Sequence, residues 1–226
     1  MMLLACDTSS DICSVALVNN GEVLYTKQIA GPQIHIEKLS IFLHEALVEV
    51  KRQAAELDQL VIAIGPGSFN GLRIGLATMK ALALTMNVPL IPVKTTDALA
   101  YGLWKKQAGV GRAVIFSHRD YVHFADYTFS PEITPATQQF HYSSWETLFE
   151  SGVDFYFGRA ERGFKDWLAS TAGVQIRENF YEVEADAINV ALYAAAIKSQ
   201  KVPDLDELEP FYNAKYEAKK WVPPKF

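Results

Sequence analysis

Three neighbouring side chains at the end of the first apolar run, Asp7, Thr8 and Ser9 in LLACDTSSD, are of types that handle phosphate or a hydrated cation. A carboxylate and two hydroxyls at a strand end can hold a metal or hydrogen-bond phosphate oxygens, which is how an ATP-using enzyme could begin. The same residues suit a turn, because Asp and Ser side chains accept bonds from backbone N–H groups two positions on. The turn is the preferred reading, with phosphate binding left open. A second candidate is LVIAIGPGSFNGLRIG at 60–75, where Gly65, Gly67 and Gly71 lie between a strand-like and a helix-like run. Backbone N–H groups at such a helix start can receive an anion. A Walker loop needs Lys and then Ser or Thr after its last glycine, but Leu72 and Arg73 follow Gly71; the G-x-G-x-x-G fingerprint fails at Asn70.

Metal and nucleophile chemistry find no support in spacing. HEALV at His44 opens like a zinc-protease helix, but Val48 stands where the second histidine belongs. His35 and His44, nine residues apart, fall on opposite sides of a helix and cannot share an ion. His118, His123 and His141 have no ligand spacing and read as surface or hydrogen-bonded histidines. No G-x-S-x-G occurs.

The elements that must position these residues follow from periodicity. MLLACDTSSDICSVALVNNGEVLYTKQIA holds three strand-like runs separated by TSSD and NNG, which predicts an antiparallel meander. A helix follows, with Ile36, Leu39, Phe42, Leu43, Ala46, Leu47 and Val50 on one side, and Ile41 and Val48 seven apart on the other. VIAIG reads as a strand, GLRIGLATMKALALTM as a second helix, and VPLIPV as a fifth strand. From Leu72 to Met86 the only charges are Arg73 and Lys80, near one azimuth, so that helix needs cover on more than one side. Gly71 and Gly75, one turn apart, would admit a close neighbouring helix. One face of this pair can pack on the sheet and leave a second for another protein.

The second half repeats the pattern. GRAVIFSHRDYVHFADYTF gives two strands, SSWETLF a short helix, VDFYFG a strand, ERGFKDWLAST a helix, and ADAINVALYAAAIKSQ a long helix. The reading is two topologically similar α/β lobes, 1–103 and 104–226, joined near 101–111.

The bulk numbers agree with a soluble, cytoplasmic chain. Of 226 residues, 50% are apolar, enough for one large core or two smaller ones. The formal charge of -5 does not attract polyanions, so a nucleic acid would need a partner's positive surface. Two cysteines, Cys6 and Cys13, read as buried thiols rather than a disulfide scaffold. The start lacks the basic region of a signal peptide, and no apolar stretch is long enough to span a bilayer.

Three runs together resemble one family: LLACDTSSDICSVALVNNG, IGPGSFNGLRIGLATMKALAL and LEPFYNAKYEAKKW. They look like the TsaB (YeaZ) family, and the middle run is the most specific. The resemblance implies two lobes of the actin, sugar-kinase and Hsp70 (ASKHA, ribonuclease-H-like) type, each a mixed sheet flanked by helices. It implies a non-catalytic subunit that docks and activates TsaD in making threonylcarbamoyladenosine in tRNA, and that helps recruit the ATPase TsaE. Docking by the helices around 36–50 and 72–86 is expected through Ile41, His44, Val48, Leu72, Arg73, Leu76 and Met79, or with a second copy when TsaD is missing. No cofactor of its own is expected; ATP and metal belong to the partners, and tRNA is met through the complex. The H-x-x-x-H of metal-binding relatives is broken at Leu39, and the D-A-R usual in the second lobe is replaced by Ser117, His118 and Arg119. The competing readings are an ATP-dependent phosphotransferase or hydrolase using Asp7 and Thr8 in the cleft between lobes, and a metallopeptidase.

Overall fold

The structure is a computed structural model and describes residues 1–118, 120–130, 139–149, 152–159, 162–170, 174–197 and 204–212. Arg119, Lys198–Gln200 and the run from Asn213 onward, which belong to motifs singled out above, lie outside the described residues.

The first sheet is built from β1 (Met2–Asp7), β2 (Ile12–Asn19), β3 (Glu22–Ala30), β4 (Gln59–Gly65) and β5 (Leu90–Lys94), in the order β3-β2-β1-β4-β5. β1, β2 and β3 run antiparallel, while β4 lies parallel to β1 and β5 parallel to β4. β1 sits mid-sheet and is buried along its whole length, which is why MLLACD is a continuous apolar run rather than an alternation. Met2, Leu4 and Cys6 face one core while Leu3 and Ala5 face the other. Cys6 and Cys13 are buried free thiols.

Helices α1 (Ile34–Glu49) and α2 (Phe69–Met86) cover one face through Leu39, Phe42, Leu43, Ala46, Leu76, Met79 and Ala83. Ile36, expected in the buried stripe, is 68% exposed; the buried start of α1 is Ile34 and His35 instead. On the other face, α6 (Ala187–Ala196) lays Ala187, Val190, Ala191 and Ala194 against Ala5, Ala16 and Ala63. Small side chains on both partners let helix and sheet approach closely. Asp186 caps this helix by accepting from the Asn189 N–H at 2.7 Å.

The second sheet uses β6 (Gly109–Phe116), β7 (Tyr121–Phe129), β8 (His141–Ser144), β9 (Phe155–Arg159) and β10 (Phe180–Glu182), in the order β10-β9-β6-β7-β8. β6, β7 and β8 are antiparallel and β9 and β10 parallel, so the two sheets share one topology. α4 (Arg162–Ala169) and α5 (Val174–Glu178) cover its outer face with Phe164, Leu168 and Ile176.

Two corrections to the lobe boundary follow. α3 (Thr95–Leu103), not anticipated from sequence, lies between the sheets, with Ala98 on the first core and Leu99, Ala100 and Leu103 on the second. The chain then returns: α6 packs on the first sheet, Leu205 and Leu208 join the α1/α2 core, and the Phe211 N–H donates to the Ile64 carbonyl at 2.7 Å. Residues 187–212, where described, therefore belong with the first lobe. Between the lobes the buried Asp97 accepts from the Tyr127 hydroxyl at 2.7 Å, and burial raises the Asp97 carboxyl and holds the Tyr127 phenol protonated.

Candidate functional site

Two places answer to the residues singled out above, the β1–β2 turn and the outer surface of α1 and α2. Asp7, Thr8 and Ser9 end β1 and are 1%, 0% and 5% exposed. The Thr8 hydroxyl donates to the Gly71 carbonyl at 2.8 Å, and the Ser9 N–H donates to Asp7 Oδ1 at 2.6 Å. The Ser68 N–H in turn donates to the Ser9 carbonyl at 2.7 Å. At the start of α2 the Ser68 hydroxyl caps the Gly71 N–H at 3.2 Å. The glycines of the 65–75 stretch thus serve a close approach, since a Cβ on Gly71 would lie 2.0 Å from the Thr8 carbonyl oxygen and one on Gly75 2.3 Å from Thr8 Oγ1. What approaches is the chain's own β1–β2 turn, not the neighbouring helix that their spacing suggested.

Asp7 is left in an unusual state. Oδ2 is buried and without a hydrogen-bond partner. Burial pushes the carboxyl from its ordinary 3.8 up to about 6; the bonds from Ser9 oppose this, and the nearby Asp186 adds to it. Asp11, in the same turn, pairs with Arg159 of β9 and so links the two lobes. His35 is buried with Nε2 2.9 Å from the Ser10 carbonyl, whereas His44 is exposed on the other side of α1. Among the described residues no group of three His, Cys, Asp or Glu side chains could hold a metal ion, and no helix is long and apolar enough to cross a membrane.

The outer surface of the helix pair exposes large apolar side chains among its polar ones. On α1, Ile41 is 45% and Val48 57% exposed, with exposed His44 between them at i+3 and i+7 on one stripe. On α2, Phe69 is 50% and Leu84 67% exposed, and Arg73 lies exposed on the same side. Three residues expected to dock are not available. Leu72, Leu76 and Met79 are 1%, 5% and 0% exposed, because they are on the side of α2 that closes over the sheet. A helix apolar all round does not reveal from its sequence which side its own sheet takes.

Arg73 is held in place. Its guanidinium carbon lies 3.8 Å from the Phe69 ring centroid and its Nε donates to the Tyr212 hydroxyl at 2.9 Å. The Phe69 and Tyr212 rings are 5.0 Å apart. The surface is therefore composite, drawing on α1, α2 and the returning segment at 204–212. Phe69 and Tyr212 stood inside quoted runs, IGPGSFNG and LEPFYNAK, yet only the long-range contact reveals their role; Leu84 carried no signal beyond its position on the α2 stripe.

Comparison with known proteins bears on this geometry. The family model for TsaD, tRNA N6-adenosine threonylcarbamoyltransferase, matches residues 30–222. The tRNA threonylcarbamoyladenosine biosynthesis protein TsaB of Escherichia coli strain K12 is 34% identical over 129 residues, covering 56% of this chain and 55% of that protein. Its namesake in Haemophilus influenzae is 32% identical over 126 residues, covering 55% and 53%. The chain spans about half the length of the curated relatives it matches. Among solved structures, YeaZ from Pseudomonas aeruginosa superposes with a TM-score of 0.70 at 23% identity, covering 86% of this chain and 91% of that one. At that identity the likeness establishes the fold alone, two five-stranded mixed sheets of one topology flanked by helices.

Proposed function

We propose, from the premise that this chain belongs to the TsaD-type family of tRNA N6-adenosine threonylcarbamoyltransferases and sits there with the TsaB/YeaZ proteins, that it is a cytoplasmic accessory subunit of the assembly making threonylcarbamoyladenosine in tRNA. In this reading it docks a TsaD-type catalytic subunit on the outer surface of α1 and α2, holds that subunit in its working conformation, and helps recruit a TsaE-type ATPase. It does no chemistry itself and needs no cofactor of its own. The Asp7–Ser9 turn is a vestige of a phosphate loop. In favour of this role, the relatives matched over about half their length are named biosynthesis proteins, while those named tRNA N6-adenosine threonylcarbamoyltransferase are matched over 31–32% of theirs.

The observation that carries the reading is the exposed stripe of Ile41, Val48, Phe69 and Leu84, beside a β1–β2 turn in which the Thr8 hydroxyl and Asp7 Oδ1 are bonded internally. Burying such side chains against a partner is worth roughly 1.5–3 kcal/mol each, and a few central anchors carry most of an interface. Arg73, held over Phe69, supplies orientation. The same stripe pairs two copies of this chain when the catalytic subunit is absent.

Val48→Asp and Leu84→Asp test it. Each leaves the fold intact, because both positions face solvent in the isolated chain. Each should lower affinity for the TsaD-type subunit by at least about 100-fold, since a carboxylate is then trapped in an apolar interface. Undiminished co-elution of both variants on size exclusion removes the assignment.

A further inference from the structure

The second sheet carries an aromatic strip that docking leaves unused. The β7–β8 register sets Tyr142 opposite His123 and Ser144 opposite Tyr121. By strand alternation Tyr121, His123 and Tyr142 share the face that also holds Tyr127 and Phe129, the face turned toward the first lobe. The Tyr121 and Tyr142 rings stack 5.2 Å apart at 24°. His118, just ahead of β7, extends the stack at 5.9 Å and 17° from Tyr121, and at 6.4 Å and 29° from Tyr142. His118 Nδ1 lies 3.2 Å from the Ser117 hydroxyl and 3.3 Å from the Tyr142 hydroxyl, which fixes the imidazole plane.

Tyr121 is 39% exposed and His118 is exposed, so the cluster is open to solvent. Beneath it His123 is 5% exposed, its ring 4.8 Å from that of Tyr142. Burial, and secondarily His118, hold the His123 imidazole down at about 4, so the floor of the strip is neutral near pH 7. At one end the strip meets a cation. The Lys94 ammonium lies 4.3 Å from the Phe140 centroid and 5.4 Å from that of Phe211. Phe140 precedes Tyr142 by two residues, roughly 7 Å along extended chain.

Rings within 30° of one another, with Lys94 over Phe140 at the end of the strip, form a stacking platform for a nucleotide strand, because every base offers a π-face. We propose that this strip stacks an unpaired base of RNA, with Lys94 meeting an adjacent phosphate. The inference rests on the preceding reading, in which the assembly acts on tRNA, and places a direct RNA contact on this chain. With a net charge of -5 the molecule gains little from long-range attraction, so the contact is weak and depends mainly on stacking.

The test is fluorescence anisotropy of the full chain with a short labelled single-stranded RNA, with AMP and ATP as competitors. Tyr121→Ala, Tyr142→Ala and His118→Ala should each weaken binding by about 5- to 100-fold, while Tyr142→Phe stays within about twofold. Lys94→Ala should remove about one phosphate contact from the salt dependence. Thermal melting confirms that each variant is folded, and His118, exposed and ahead of the strand, secures a folded variant. Unchanged affinity in the alanine variants, or no binding by the parent chain up to roughly millimolar protein, overturns the proposal. So does competition by AMP or ATP as strong as by RNA, which would mark a mononucleotide site. No partner subunit is present in this assay, so its failure leaves the docking reading to its own co-elution test.

Discussion

Replacing Asp7 with asparagine isolates one buried charge at the β1–β2 turn. Asparagine has nearly the same shape, and its Oδ1 can still accept from the Ser9 N–H that Asp7 meets at 2.6 Å. The aspartate carboxyl is raised from 3.8 to about 6, first by burial and then by Asp186 against the opposing Ser9 bonds. An acid whose folded value is raised is held in its protonated form by folding. Its stability is therefore whole below about pH 4 and is lost as pH rises through about 6. At about 1.4 kcal/mol per pH unit, the shift makes the ionised form cost about 3 kcal/mol above pH 7. The variant lacks this loss, so its stability relative to the parent should rise by about 3 kcal/mol between pH 4 and pH 8, or about 6–12 °C in Tm. His123, held low, and Asp97 and Asp186, held high, titrate in both proteins, so most of their effect cancels in the difference. Urea unfolding at several pH values reads it directly. Parallel pH profiles for parent and variant would refute the buried, partnerless carboxylate. Saturating Mg-ATP that restores the parent's stability at pH 8 would instead give Asp7 the cation role required by the phosphotransferase reading.

Three further substitutions separate packing from docking. Gly71→Ala drives a Cβ to within 2.0 Å of the Thr8 carbonyl, which lies on rigid backbone, so thermal melting should show a loss of about 3 kcal/mol or more; a variant melting with the parent would mean that α2 and the β1–β2 turn are not in contact. Leu76→Ala should lower unfolding free energy by about 2–5 kcal/mol while Ile41→Ala leaves it within about 0.5 kcal/mol and weakens co-elution with the TsaD-type subunit; the reverse ordering in calorimetry and pull-down would return Leu76 to the interface.

Periodicity revealed the elements and left their neighbours hidden. The meander of β1, β2 and β3, the helices α1 and α2, and the second run of strands could all be read from local apolar spacing, because each buries a face against its own sheet. α3 was missed because TTDALAYGL buries residues on two sides, between both sheets, and so shows no one-sided stripe. β8 and β10, four and three residues long, are too short for a period. The lobe boundary failed for a different reason. ADAINVALYAAA is visibly helical, but nothing within it says that its alanines match Ala5, Ala16 and Ala63 more than 100 residues earlier.

The candidate site divides along the same line. Ile41 and Val48 could be placed outside because they lie on the side of α1 that carries Glu37, Lys38, Glu45 and Glu49. Leu72, Leu76 and Met79 were not separated from Leu84, because apart from Arg73 and Lys80 the helix is apolar or small all round and the sheet beneath decides which residues remain uncovered. That ambiguity has a physical cause: local spacing records that a side chain is apolar, not what covers it. Only three-dimensional contact, such as Arg73 held by Phe69 and Tyr212, tells which face of α2 its own sheet leaves uncovered.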